Sequence, residues 1–421
     1  MSASLAQSFD SSRLSFTREQ GRFGEHVFAH VLLCLPCRVL TGYFMKKPPL
    51  IWLNVILFTV TFLLAVLVTP WYGFSHGLSA GLWWAMLATV LFAGLSITAG
   101  YHRLWSHRAY DAHPIVRVLW MIGGTLALQN SILHWASDHR EHHKHVDHDD
   151  HDPYSASRGF WFSHIGWMLR HYQANRYHDY GNVKDLQKDP IVMFQHRYYL
   201  PLVLVLNFGW PLLIGWLLSD VVGALLLVGV VRIVINHHTT FFINSLAHIW
   251  GGQPYTDRNS ARDNGFLALL TYGEGYHNYH HIFSNDYRNG IRWWQFDPTK
   301  WLIRACSWLG LASNLKRCSG YQVEKAKLTM QFKRYQARYE AKQPSTSQVV
   351  LERLQHDYEQ VLQKLKAYYQ ARKVLLDSKT ARLRDHVHAD IDQLKHQAQE
   401  LRSAFHLHRK RWRAALAEQL A

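Results

Sequence analysis

Four long, nearly uncharged stretches dominate the first 250 residues. Residues 51–70 carry no charge, and 77–100 form a second uncharged run, separated from the first only by Trp71-Tyr72-Gly73-Phe74-Ser75-His76. Each is long enough to cross a hydrocarbon core of about 30 Å. Residues 200–218 and 221–247 repeat the arrangement, with Arg232 as their only charge. The pattern predicts four transmembrane helices in two hairpins. A charge at membrane depth costs at least about 2.5–3.5 kcal/mol on the mildest scale. Arg232 is therefore expected to face the protein interior and to have a partner there.

The links 71–76 and 219–220 contain no Lys or Arg, whereas the other polar segments are basic. The positive-inside rule then places both termini and the long central loop in the cytoplasm. One further apolar segment, Ile115 to Leu133, resembles a fifth span apart from Arg117. A crossing there would separate the histidines at 102 and 107 from those at 139–143, so the segment is expected under a cytosolic cap or at the interface. Beyond residue 318 the chain turns charged, alanine-rich and nearly glycine-free, with a break at Gln343-Pro344-Ser345-Thr346-Ser347. Two registers with 3-4 spacing follow: Leu351, Leu354, Tyr358, Val361, Leu365, Tyr368, and then Val387, Ile391, Leu394, Ala398, Leu401, Phe405. They predict a coiled-coil or helical-hairpin tail. The expected fold is thus an all-α integral membrane protein: a cytosolic N-terminal segment (1–47), a membrane domain with a cytosolic helical cap (48–318) and a basic helical tail (319–421).

Composition adds contrast to this outline. A mean hydropathy of −0.18 averages an apolar body with a very polar tail, and 17 tryptophans suit interfacial anchoring, expected at 83, 84, 293 and 294. The net charge is +16, and residues 321–421 hold 20 Lys and Arg against 11 Asp and Glu. Such a balance points to anionic lipid or an acidic protein partner rather than nucleic acid. Four scattered cysteines exclude a disulfide framework and fit a reducing compartment for the active face. The lone Cys34-Leu-Pro-Cys37 pair reads as incidental. Residues 1–30 lack a basic start followed by an apolar run, so no cleavable signal is expected.

The chemistry lies in the histidines, of which there are 29. His102 and His107 follow the second apolar stretch. His139, His142 and His143 lie at i, i+3, i+4, and His277, His280 and His281 repeat that spacing. Asn244 and His248 are four apart at the end of the fourth stretch. On a helix the spacings of three and four project into one sector, where neutral imidazoles converge on an ion such as iron, zinc, copper or nickel. Three clusters plus one histidine are too many for a single tetrahedral zinc and suit two ions of four or five ligands each. A carboxylate di-iron bundle needs two Glu-x-x-His motifs, and only Glu274-Gly-Tyr-His277 fits.

In the segments HRLWSH (102–107), DHREHHK (138–144), RGFWFSHIGW (158–167), VMFQHRYY (192–199), NSLAH (244–248) and GEGYHNYHH (273–281), the chain resembles the integral-membrane fatty acid desaturases of the stearoyl-coenzyme A Δ9-desaturase type, over roughly residues 48–315. The resemblance implies a non-haem centre of two iron ions that uses dioxygen and two electrons to remove two hydrogens from a saturated C16–C18 acyl-CoA, leaving a cis double bond. The implied iron ligands are His102, His107, His139, His142, His143, His248, His277, His280 and His281, with Asn244 reaching a metal through water. By the same resemblance Gln129, Trp135 and Thr240 line the bend of an acyl tunnel, and Asn54 and Asp138 touch the carrier's headgroup. Ser137 departs from the pattern, since the animal enzymes carry an arginine there.

No nucleotide fingerprint, cysteine cluster or haem-binding His-Pro-Gly-Gly signature supplies electrons. An external ferredoxin, flavoprotein reductase or cytochrome b5 is implied. The expected setting is the bacterial inner membrane or the endoplasmic reticulum, with membrane lipids as neighbours and self-association through the tail as a further expectation. Competing readings are a membrane di-iron hydroxylase, a desaturase of lipid-esterified chains, and a non-catalytic scaffold acting through the tail. Asp138 and Asn278 are candidates for orienting ligand imidazoles. His237 and His238 read as hydrogen-bonded interior residues, and His145 to Asp152 as a solvated loop.

Overall fold

A computed structural model describes residues 47–172, 177, 179–342, 348–385 and 390–418, excluding the side chains of 382–385. The Cys34–Cys37 pair, the 343–347 break and Val387 lie outside the described residues, as does nearly all of the N-terminal segment. Among the described residues, four helices are long and apolar enough to cross a membrane: Trp52–His76, Ala80–Ser106, Tyr199–Leu217 and Val221–Ile249. Spans 1, 2 and 4 run past the uncharged stretches, because the polar residues that follow still fit helical winding. At 27 residues, span 2 is roughly 40 Å long, well over the apolar thickness, so its end carries His102 clear of the bilayer core.

Local chemistry sets the hairpin turns. Ser79 caps span 2, its Oγ accepting from Leu82 N at 3.3 Å. Asp220 caps span 4, accepting from Gly223 N at 2.7 Å. Tyr72 donates its hydroxyl to the same Asp220 at 2.8 Å, so the two short linkers meet. Span 1 buries no residue over Trp52–Leu63, whereas span 4 buries over half of its apolar window. Arg232 is fully buried in span 4. It donates Nε to Val228 O at 2.8 Å, one terminal nitrogen to Asn207 Oδ1 at 2.7 Å and the other to Leu126 O. Every guanidinium nitrogen is thereby satisfied by oxygen, as an interior charge requires.

The segment resembling a fifth span is two elements. Helix Pro114–Leu126 has 13 residues, roughly 20 Å and too short to cross. Leu128 and Asn130 then take positive φ (55° and 74°), and a new helix, Ile132–Lys144, starts at the Ser131 cap. The first helix buries Val116, Trp120 and Met121 and leaves Ile115, Val118 and Leu119 exposed. It packs closely on the end of span 2 through Gly123 and Gly124. A Cβ at Gly124 would stand 2.1 Å from the Tyr101 ring, a collision that rigid packing cannot absorb. A short antiparallel pair, Asp111–Ala112 with Ala312–Ser313, fastens the start of the central segment to its end.

Among its described residues the tail forms three helices, Gly320–Lys342, Gln348–Asp385 and Ile391–Glu418. Leu354, Tyr358, Val361, Leu365 and Phe405 from the expected registers are buried together with Leu328, Phe332, Tyr335, Tyr339, Trp412 and Leu416. The apolar stripe therefore closes a three-helix core rather than a simple hairpin.

The Arg232 site yields a test. Asn207→Leu leaves a buried guanidinium nitrogen without its acceptor and should destabilise the detergent-solubilised protein by about 2–3 kcal/mol. Adding Arg232→Met should recover most of that loss. Thermal unfolding of both variants measures it, and equal destabilisation would contradict the pairing.

Candidate metal centre

Four backbone segments aim histidines at one region. In an α-helix, residues five apart are separated by roughly 140°, so His102 and His107 would diverge. Here residues 96–106 are wound as a π-helix, and His107 N donates to His102 O at 3.1 Å. The wider winding stacks residues five apart and brings both rings to one side; their centroids lie 4.8 Å apart. Helix Ile132–Lys144 carries His139, His142 and His143, helix His277–Ile282 carries His277, His280 and His281, and the end of span 4 carries His248.

The nine imidazoles sort into two groups, His102, His107, His139, His143 and His280, and His142, His248, His277 and His281, with the ligand atoms of each within 4.8 Å of one another. The sorting divides both short helices. The i, i+4 pair 139/143 joins the first group while 142 joins the second; the pair 277/281 joins the second while 280 joins the first. His143 of one group stacks on His281 of the other at 4.3 Å, so the groups are neighbours.

Nε2 atoms face each other within the groups. In the first, His102–His280, His107–His139 and His143–His280 are separated by 2.9, 2.8 and 3.0 Å. In the second, His142–His281, His281–His277 and His277–His248 are separated by 3.3, 3.0 and 3.1 Å. The tautomers of two of these rings follow from their partners. His142 Nδ1 lies 2.9 Å from Asp152 Oδ1, a carboxylate that only accepts. His248 Nδ1 lies 2.7 Å from Ser260 Oγ, which donates its own proton to Asp147 and so accepts here. Both protons sit on Nδ1, leaving bare lone pairs at Nε2. Both lone pairs are therefore available to a cation lying in the group. Ligand nitrogens about 2.0–2.1 Å from an ion stand roughly 3.0–3.4 Å from one another, so the spacing fits a metal.

Supporting residues fix the rings. Glu274, fully buried, takes Arg103 Nε and a terminal nitrogen at 3.2 and 2.8 Å and Asn289 Nδ2 at 2.5 Å. His102 Nδ1 stands 3.0 Å from Glu274 Oε2, close but off the line of a good hydrogen bond. Arg103 also pairs with Asp297 at 3.0 Å. Burial raises the Glu274 pKa, but Arg103 and His102 outweigh it and hold the carboxyl at about 2. Glu274 is therefore an anion beside the cluster at any ordinary pH. His139 Nδ1 meets Tyr154 hydroxyl at 3.3 Å. These partners escaped the sequence reading, although Arg103 inside one histidine box and Glu274 just before another were visible charges.

Other singled-out residues fall as follows. Trp135 stacks on His139 at 4.8 Å. Gln129 Nε2 donates to Thr240 Oγ1 at 2.9 Å, bringing two of the expected tunnel residues together. Asn54 Nδ2 donates to Met168 O at 2.8 Å, and Asp138 accepts from Tyr177 hydroxyl at 2.9 Å. Ser137 donates to Asn182 at 2.8 Å. Asn244 stands one turn before His248, partly buried. Asn278 bonds the backbone of Tyr255, Thr256 and Ala261, so it clamps a loop instead of orienting an imidazole. His237 meets Leu128 O at 2.9 Å and His238 meets His164 at 2.9 Å, both outside the two groups, as do His145, His148 and His151.

Burial and neighbouring imidazoles hold His107, His139, His143, His277, His280 and His281 well below the ordinary value of 6.5. With depressed folded pKa values, no penalty exists above 6.5; below it the unfolded chain takes up protons that the folded chain cannot. Metal-free protein should therefore lose stability as pH falls below about 6.5, by up to about 1.4 kcal/mol per pH unit for each such histidine. Melting of chelator-treated protein at pH 8 and 5.5 tests this: a large drop is expected, and an unchanged Tm would contradict it.

Comparison with known proteins places this geometry. The fatty acid desaturase family profile matches residues 80–312. A probable acyl-CoA desaturase of Schizosaccharomyces pombe is 47% identical over 235 residues, covering 56% of this chain and 49% of the relative. Acyl-CoA desaturase 1 of Saccharomyces cerevisiae is 43% identical over 242 residues, covering 57% of this chain and 47% of the relative. The chain thus spans about half the length of these two yeast relatives. Stearoyl-CoA desaturase 5 of Bos taurus is 38% identical over 285 residues, covering 67% of this chain and 84% of the relative. With three of the four apolar spans and both histidine groups inside the matched region, the chain belongs to the fatty acid desaturase family.

Proposed function

We propose that this protein is an oxygen-dependent acyl-CoA desaturase that introduces a cis double bond, at Δ9, into saturated C16–C18 chains. The observation that carries the reading is the interleaving of nine imidazoles into adjacent groups of five and four. The groups have parallel construction. One combines the pair 102/107 with the pair 139/143 and His280; the other combines His248 with the pair 277/281 and His142. Asn244, four residues before His248, takes the place that His102 takes beside His107 and supports a fifth contact through water.

The chemistry of the donors favours two iron ions. A saturated acyl chain offers neither an acidic proton nor an electrophile, so side-chain acid–base catalysis is idle; the metals, when bound, supply the oxidising power from dioxygen and two external electrons. The chain's own residues do the rest. Successive methylenes are chemically alike, so selectivity is orientational. Trp135, flat against His139, presents an apolar wall beside the histidines, and the Gln129–Thr240 bond fixes the end of helix Pro114–Leu126 against span 4. Asp152, Ser260 and Glu274 hold their imidazoles in orientation.

The names of the relatives support acyl-CoA as the carrier. Ser137 is engaged with Asn182, and Asn54 and Asp138 remain the residues proposed for the headgroup. The electron donor is an external ferredoxin, flavoprotein reductase or cytochrome b5. The cap and both termini face the cytoplasm.

Fatty-acid profiling of a desaturase-deficient host expressing the chain tests the proposal. A cis Δ9 monoenoic C16 or C18 acid is expected, and it should vanish with His142→Ala plus His143→Ala. An alcohol as sole product would replace desaturation by hydroxylation, and product formation by the double variant would remove the histidines from the chemistry.

A further inference from the structure

The two imidazole groups are held by different parts of the chain. The group of five is backed at His102 by Glu274, Arg103 and Asp297, all buried within the body. The group of four is tied by a hydrogen-bonded arc near the surface. It runs from His142 Nδ1 to Asp152 Oδ1 (2.9 Å), from Asp152 Oδ2 to Asp147 N (3.0 Å), from the Asp147 carboxylate to Ser260 N (2.6 Å) and Oγ, and from Ser260 Oγ to His248 Nδ1 (2.7 Å). The arc joins two ligands of one group through two loops, and Ser260 is its hinge.

The loop that carries Ser260 is gripped by the tail. Lys333 of helix Gly320–Lys342 pairs with Asp257 at 2.7 Å. Arg334 donates to Gln253 O, and the Lys327 ammonium stands 5.5 Å over the Tyr255 ring. Val323 is buried against the same loop with Tyr255 and Tyr279. The last tail helix in turn holds the first, through Arg409 to Glu324 at 3.3 Å and Arg413 to Gln331 at 3.1 Å. The loop is thus held from outside by helix 320–342 and from inside by Ser260 and by the Asn278 clamp on Tyr255, Thr256 and Ala261.

We propose that the tail acts as a brace for the four-histidine site: by fixing residues 253–260 it positions Ser260, and through Ser260 the His248 imidazole, so that retention of the metal in that site depends on the tail. This rests on the two-iron reading above. It makes Lys327, Lys333 and Arg334 positioning residues that touch neither metal nor substrate. The five-histidine site, anchored within the body, is independent of them.

The test is iron retention by the full-length protein in detergent, followed by elemental analysis and ⁵⁷Fe Mössbauer spectra during dialysis against a chelator. Two irons are expected in the unaltered chain. Substituting the exposed Lys333 and Arg334 together with the partly buried Lys327 by Ala removes the polar grip. It should speed loss of one iron about tenfold and leave the other's loss rate and spectrum unchanged. Ser260→Ala should act in the same way, and Ser260→Thr, which keeps the hydroxyl, should restore retention. Equal retention of both irons in the triple variant, or parallel loss of both, would overturn the brace. An unaltered chain holding other than two irons would instead remove the two-iron reading on which the brace depends.

Discussion

The structure is organised by the crowding of nine imidazoles at the point where the cap meets the spans. Imidazole nitrogens stand about 3 Å apart within each group, and burial keeps water from separating them. Burial and neighbouring imidazoles disfavour charging His107, His139, His143, His277, His280 and His281. A metal ion among them fits this arrangement. Four backbone segments, the Glu274 network and the Asp152–Asp147–Ser260 arc all serve to hold rings in an arrangement that is unfavourable alone. Metal binding and the folding of the cap are thereby coupled.

Membrane architecture makes that crowding possible. Spans 2 and 4 enter the cap as continuous helices and carry His102 and His248 on rigid elements. The π winding at 96–106 and the glycine contacts of helix Pro114–Leu126 set the rotation of the first pair. A fifth crossing would have separated the ligands, and the turn at Leu128–Asn130 returns the chain instead. The buried Arg232 cluster joins Asn207 of span 3, Leu126 and span 4, close to the residues that carry Gln129 and Thr240. One buried charge thus helps fix the geometry beside the site.

Much of this was legible in the sequence because it rests on periodicity and length. Uncharged runs gave the spans, and 3-4 spacing gave the helices of the tail. The i, i+3, i+4 histidines placed each cluster on one helical sector. The division of those histidines was not legible: whether His142 or His143 turns to a given ion depends on the rotation of helix Ile132–Lys144 against three other segments, which no local pattern encodes. The π winding was equally hidden, since a five-residue spacing disagrees with an ordinary helix. The break inside 115–133 falls at Leu128 and Asn130, with no glycine or proline at the turn to mark it. Ser260 and Asp147 reach the site only through tertiary packing of loops.

Anomalous diffraction from crystals of the purified protein, recorded on either side of the iron absorption edge, locates any iron held by the histidines. The account predicts two neighbouring iron peaks, one among His102, His107, His139, His143 and His280 and the other among His142, His248, His277 and His281. A single peak shared by all nine histidines, or two peaks outside these groups, would contradict it.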